Sequence, residues 1–484
     1  KPDQPYICES RVFKEEIFPA FRLNNPDLGA HLKKCLAYCS LFPRDFDFKK
    51  DNLVQLWMAK GFLLRQGIRS LEQIGCEYFD ELLWRSVFRL SHLCDQETPT
   101  YKIHEYVHRY AEILASDTFY RFEKDDWSSS IPRHKKARHL SLLCDSIKLP
   151  FFKEIEKCDG LRTLLLLSEH GTKVDQVPYS LFQKLELLRV LDLSCTDINE
   201  LPESLGRLKH LRYLDASQTN LQRLPKSASE LHGLQVLKLR DCSDLLELPK
   251  NLKNLTNLIH LDVDMKGLRC MPQSIGTLNH LKTLPAFIVG KKEGYRITEL
   301  KNLKHLCGTV SLSGLDNVKD GAEAKEAMMS DKPFVKRMEL QWSRRVRDES
   351  IAMDVLAAIQ PHRSLKELHI INYGGLDFPA WLTSPSCMLN AACPSFGILQ
   401  LEDCPNLCSM QSLIHMNSLQ TLEIKRCPQL NSLPGLPASL QSLIIIESDV
   451  VKQQCLPEGS PQWCIIKAIR YVEIDYEIVD TGDS

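Results

Sequence analysis

No stretch of this 484-residue chain approaches the ~18 consecutive apolar residues of a membrane span, and its first residues carry no secretory signal. A soluble, cytoplasmic protein is therefore expected. Charge of one sign is also missing. The net charge of −1 leaves no global attraction to nucleic acid or to an anionic membrane, so neither is expected as a direct partner. The phosphate-cradling pattern G-x-x-x-x-G-K-[ST] does not occur, and no nucleophile, base and orienting group fall at motif spacing, so the chain is expected not to be an enzyme. Cysteine is plentiful, at 18 residues, but scattered, and Cys242, Cys404 and Cys427 occupy repeat turns, as reduced thiols would. Cys35 with Cys39, and Cys404 with Cys408, lack the second close ligand pair of a zinc site, so no metal is expected. An initiator methionine is absent too, and the chain is expected to be part of something longer.

What is present is repetition. LRVLDLSCTDINELP from Leu188, LRYLDASQTNLQRLP from Leu211, LQVLKLRDCSDLLELP from Leu234 and LIHLDVDMKGLRCMP from Leu258 are four copies of one unit. Leu191, Leu214, Leu237 and Leu261 hold equivalent places, and the period matches the leucine-rich repeat template. Alternation in L-x-x-L-x-L puts the leucines on one face of a short strand and the intervening residues on the other. One unit cannot bury its own leucines, so the copies must stack into a solenoid, a horseshoe whose strands line a concave binding face. On that face Arg189, Arg212 and Gln235 should stand side by side, as should Asp192, Asp215 and Lys238. Strands are also read at LRTLLLL from Leu161 and in a less regular stretch, where polar insertions such as Arg344 to Asp354 are expected to loop out. The strands then become regular again, exposing Gln400 and Glu402, then Glu423 and Lys425. The tail from Lys452 is expected to cap the last repeat.

Ahead of the repeats the pattern is helical. Apolar positions predict a helix from Ile17 to Leu41, ended by Pro43, and a second from Asp51 to Lys60, stopped by Gly61. Ser70 with Gln73 forms a capping box for a third helix. Val87 to His92 and Thr100 to Ile103 read as a hairpin joined by the polar turn Cys94 to Pro99, followed by a helix from Glu105 to Ala115. Helices, a hairpin and a helix make a winged-helix-like unit, and none of its helices is the basic stripe that reads DNA. The basic run beginning at Arg133 is read as a solvated joint. The expected class is α/β, with a trailing segment at 1–15, a winged-helix subdomain at 16–124 and leucine-rich repeats at 125–484.

CLAYCSLFPRDFDFKKDNLVQLWMAKGFL, Cys35 to Leu63, resembles the signature of the second ARC subdomain in plant NLR resistance proteins, the nucleotide-binding, leucine-rich repeat immune receptors. The family's MHD motif is represented by Ile103-His104-Glu105 in YKIHEYVHRYAE, with Ile for Met and Glu for Asp. The resemblance implies that His104 contacts the β-phosphate of ADP in the resting state. Imidazole suits that role, since it can donate a hydrogen bond with or without charge. The reading of His104 as a plain helix cap remains beside it. ADP or ATP would then belong to the full-length parent, with little retained by this chain. The implied partners are a pathogen effector or guarded host protein and upstream nucleotide-binding and N-terminal signalling domains. A substrate adaptor, for instance in a ubiquitin ligase, is the alternative; it calls for an F-box-like start, which the sequence lacks.

Overall fold

The structure, a computed structural model, describes residues 28–479 apart from 66, 92–98, 124–135, 168–170, 175, 345–347, 384–395, 411 and 457–459. The expected trailing segment 1–15, the first half of the helix read from Ile17, most of the Cys94 to Pro99 turn and Arg133 lie outside the described residues. The chain divides into two compact units, residues 1–245 and 246–484.

The first unit opens with helix α1, Ala30–Cys39, which buries Leu32, Leu36 and Cys39. Helix α2, Lys50–Lys60, ends where Gly61 adopts a left-handed φ of 76°, a conformation that costs glycine nothing. Helix α3, Leu71–Trp84, begins with the expected capping box. The Gln73 amide donates to Ser70 Oγ, and the Ser70 amide donates to Gln73 Oε1. The hairpin pairs Phe88–Leu90 with Thr100–Ile103, and helix α4 spans Glu105–Ala115 as expected. A third strand, Phe48–Lys49, joins it antiparallel to Thr100–Ile103. This strand carries Phe48 into an aromatic core, where Phe79 and Phe88 stack with centroids 4.6 Å apart. These are the parts of a winged helix.

A parallel sheet follows directly. It runs from Phe119–Glu123 through His139–Leu143, Thr163–Leu166, Val190–Asp192 and Tyr213–Asp215 to Val236–Leu239. The first of these strands precedes residue 125, so the sheet begins inside the segment assigned to the winged helix. Its burial is only partial, and nothing in its sequence, FYRFE, carries the leucine signature. Leu191, Leu214 and Leu237 lie side by side in register and are buried. After each strand, Leu-Pro runs into a short 3-10 turn, with Pro202 and Pro225 extended at its start.

The second unit is built on a 9-stranded sheet that includes Cys307–Ser313, Phe334–Gln341, Glu367–Ile371, Ile398–Glu402, Thr421–Lys425 and Ser442–Ile446 in parallel. Arg344 to Asp354 does not simply loop out. Asp348 accepts from the Ser350 and Ile351 amides and caps a helix, Glu349–Ala358, that buries Ala352, Val355 and Leu356. Those apolar positions outweigh the polar start of the segment. The tail covers the sheet edge with Tyr471–Ile474, parallel to Ser442–Ile446, and then Glu477–Ile478, antiparallel to it.

Leu214 is 0% exposed at the centre of the first sheet. Leu214→Ala should cost about 2–5 kcal/mol through lost transfer energy and the cavity left behind. A lowered melting temperature by scanning fluorimetry is the expected readout.

Candidate functional site

Helix α1 ends in a run of carbonyls that no helical amide can reach, the usual condition of a helix C-terminus. Three separate elements take them. Arg121 donates to the Ser40 carbonyl at 2.6 Å and to that of Phe42 at 3.1 Å. Ser141 Oγ donates to the Leu41 carbonyl at 2.6 Å, and the buried His108 holds Phe42 O at 2.9 Å through Nε2. Glu112 sits behind, 3.0 Å from Arg121 and 3.4 Å from His108 Nδ1. Burial alone would raise its carboxyl, but His108 and Arg121 outweigh burial and hold it below the usual range. The winged helix is thereby tied to the first two strands of the repeat sheet.

Helix α2 lies against the next strands. Asp192, Asp215 and Lys238 stand in register as expected, but none of them faces solvent. Each is under 9% exposed, because the chain's own winged helix covers this part of the face. Lys238 Nζ donates to Asn52 Oδ1 at 2.8 Å and lies 5.2 Å from the centre of the Tyr213 ring. Asp215 accepts from the Tyr213 hydroxyl at 2.9 Å and from the Ser217 amide. Asp192 accepts from both the amide and the hydroxyl of Ser194. Burial, and then Asp215 beside it, push the Asp192 carboxyl up to about 7 against the pull of Ser194 and Lys238. A cavity of about 280 Å³ opens onto this pair, with Phe42, Phe46, Leu53 and Leu56 on the winged-helix side.

A second row runs alongside. Each backbone amide bonds to the carbonyl of its predecessor in the series Arg138, Arg162, Arg189, Arg212 and Gln235, so these residues occupy one position on successive strands. Arg189 also donates to the Lys60 carbonyl at 3.3 Å. Lys60 is itself buried, and burial followed by Arg189, Arg162 and Arg212 lowers its ammonium to about 7. None of the four arginines makes an ion pair with a carboxylate among the described residues. Arg138, from the basic run, heads this row and is exposed.

His104 lies just before α4 and is half-buried. Its Nδ1 accepts from the Tyr106 amide at 3.3 Å, which makes it a cap of α4, and its ring stacks on Tyr106 at 5.4 Å. Ile103 is buried, while Glu105 is exposed and pairs with Arg109 at 3.0 Å. In the second unit Gln400 neighbours Glu423 and Glu402 neighbours Lys425, all four half-buried on the sheet face opposite the leucines. Asn52, Lys60, His108, Arg121, Ser141 and Tyr213 were not singled out from sequence. Only the arginine row had a visible signal, in the recurring LRTL, LRVL and LRYL.

The raised Asp192 carboxyl fixes a sign. Asp192 binds a proton more tightly when covered than when exposed, so between about pH 4 and 7 the covered form holds more protons and loses stability as pH rises. Asp192→Asn should remove this loss. The variant's melting temperature relative to the parent should rise from pH 5 to pH 8, and a constant difference would contradict the assignment.

Two family descriptions match the chain: Disease resistance protein Winged helix domain at residues 41–111 and R13L1/DRL21 LRRs at 297–447. The chain is 35% identical over 414 residues to putative disease resistance protein RGA4 of Solanum bulbocastanum, covering 85% of this chain and 38% of that protein. It is 42% identical over 372 residues to disease resistance protein RGA2 of the same organism, covering 76% of this chain and 35% of that one. Against putative disease resistance RPP13-like protein 1 of Arabidopsis thaliana it is 36% identical, covering 88% and 41%. The chain thus spans less than half the length of these relatives. A winged helix of the disease-resistance kind, fused to repeats of the R13L1/DRL21 kind, places this chain in the plant disease resistance protein family.

Proposed function

We propose that this chain forms the switch and recognition portion of a cytoplasmic plant immune receptor without enzymatic activity of its own. The observation that carries the reading is the covered charged face of the first unit. The winged helix is held on the repeats by Lys238 to Asn52, Arg189 to the Lys60 carbonyl and the carbonyl grip at the end of α1. Buried charges of this kind cost several kcal/mol when one partner is removed, so the contact has two well-separated states, docked and open. Such a bistable contact lets binding on the repeats bias a nucleotide-responsive region through the winged helix. The repeats would take a pathogen effector or a guarded host protein.

His104 supports the nucleotide side of the reading. With Nδ1 accepting from Tyr106, the neutral ring carries its proton on Nε2, a donor of the kind that a phosphate oxygen accepts. The ligand would be ADP in the resting receptor, held chiefly by groups that this sequence does not contain. The arginines of the row, which pair with no carboxylate among the described residues, would dock an acidic segment of another domain.

Two experiments test this. Lys238→Glu, placed in the full-length receptor and expressed in leaves, should release the contact and cause cell death without any effector; a well-expressed but silent variant would overturn the switch reading. His104→Ala in the same receptor should weaken ADP retention by about tenfold or more, the value of one charge-assisted hydrogen bond. Unchanged ADP on the purified protein would leave His104 as a helix cap only.

A further inference from the structure

The second unit offers a face of different chemistry. Register places Glu339, His369, Gln400, Glu423, Ile444 and Glu473 next to one another on successive parallel strands. Glu367 and Glu402 stand in the flanking rows. Against these five carboxylates the same strands bring three fixed cations, Lys336, Arg337 and Lys425, and the Lys336 ammonium is turned back to the Pro333 carbonyl at 3.4 Å. Arg337 is engaged by Glu367, and Lys425 lies 2.8 Å from Glu423. Outside the strands, Arg426 meets both Glu402 and Asp403, which adds one charge of each sign. Glu339 meets only His369, 3.9 Å away, and Glu473 only the Tyr471 hydroxyl at 2.7 Å, so neither has a lysine or arginine partner among the described residues.

The excess is negative, and it is interleaved with aliphatic surface. Ile371, Ile398 and Ile444 are half-buried on this same side, whereas the alternate leucines and isoleucines are core. A carboxylate row of this kind repels nucleic acid and anionic lipid and attracts cationic protein segments, raising their association rate as well as their affinity.

The geometry points to a docking face for a lysine- or arginine-rich segment of a partner protein, laid across the strands with its cations at Glu339, Glu423 and Glu473 and its apolar residues between them. The inference rests on the reading that the repeats recognise a protein, and it supplies the chemistry of what they recognise. Spacing is part of it. With strands roughly 4.8 Å apart, Glu339 lies about 14 Å from Glu423, and Glu423 about 10 Å from Glu473. An extended segment rising roughly 3.3 Å per residue, with alternate side chains on one face, meets them with basic residues about four positions apart each time.

The test uses the full chain and a fluorescein-labelled peptide with three lysines about four residues apart and leucines midway between them, all on one face of the extended chain. Binding is followed by fluorescence anisotropy at low and moderate salt. The combined variant Glu339→Gln, Glu423→Gln, Glu473→Gln should weaken binding by about tenfold or more and flatten its salt dependence. Glutamine keeps the size and shape of each of these half-buried side chains, so the melting temperature should hold. Should the triple variant fold poorly, the parent chain still decides the matter, because a peptide with glutamate in place of lysine should not bind it. Equal binding by the folded triple variant, or by the glutamate peptide, overturns the inference. Exchanging residues 394–450 with those of a related receptor tests the underlying reading separately. If recognition fails to follow that segment while peptide binding still depends on the three glutamates, the recognition reading falls and the docking chemistry stands.

Discussion

The first unit depends on how the end of helix α1 is satisfied. Ser40, Leu41 and Phe42 present carbonyls where the helix can supply no more amides, and burying them bare would cost about 1–3 kcal/mol each. Arg121, Ser141 and His108 come from a repeat strand, the next repeat strand and helix α4, so satisfying one helix end locks three elements together. The winged helix and the start of the repeats are therefore one packed body. The first strand of the sheet, Phe119–Glu123, carries the Arg121 that reaches back to those carbonyls.

That locking dictates the electrostatics of the neighbouring strands. Once α2 is held against them, Asp192 and Asp215 lose water and are left beside each other with Lys238 as the nearest cation. Two carboxylates in one dry site cannot both ionise cheaply, which is why one of them holds its proton into the neutral range. The same covering drives Lys60 the other way, since its neighbours are arginines. The contact thus holds an acid and a base, both titrating near neutrality, on adjacent rows of one sheet face. Desolvation of both groups offsets much of what their pairing contributes, so such a contact is less strong than its burial suggests.

Much of this fold was legible. The leucine period, the Ser70 and Gln73 capping box, Gly61 as a helix stop and the limits of α4 were all readable, because each is a local rule written in a few adjacent residues. The period also told correctly which residues share a row: Arg189 with Arg212 and Gln235, Asp192 with Asp215 and Lys238. It could not tell what covers the row, since alternation separates core from outer face and carries no information about a second body docked on that face. The helix Glu349–Ala358 was missed for a different reason. Its Asp348 cap and the spacing of Ala352, Val355 and Leu356 are helical signals, but the charged residues before them resemble an insertion, and a repeat template leads one to expect only strands and turns. Phe48–Lys49 is too short for any pattern, and tertiary pairing alone makes it a strand.

The two sheets illustrate how one backbone repeat carries different chemistry. Leucines fix the spacing of the strands in both, so the alternate positions are free to vary without cost to the core. In the first unit those positions became arginine, aspartate and lysine, and a docked helix turned part of them into a buried junction. In the second they became glutamates with isoleucines between, half-buried yet uncovered by any described helix, and their charges are only partly matched by Arg337, Lys425 and Arg426. Partial matching is the informative feature. Complete pairing would make the face inert, and no pairing would leave it self-repelling, whereas a residual negative row on a rigid sheet attracts an incoming cation at little reorganisation cost.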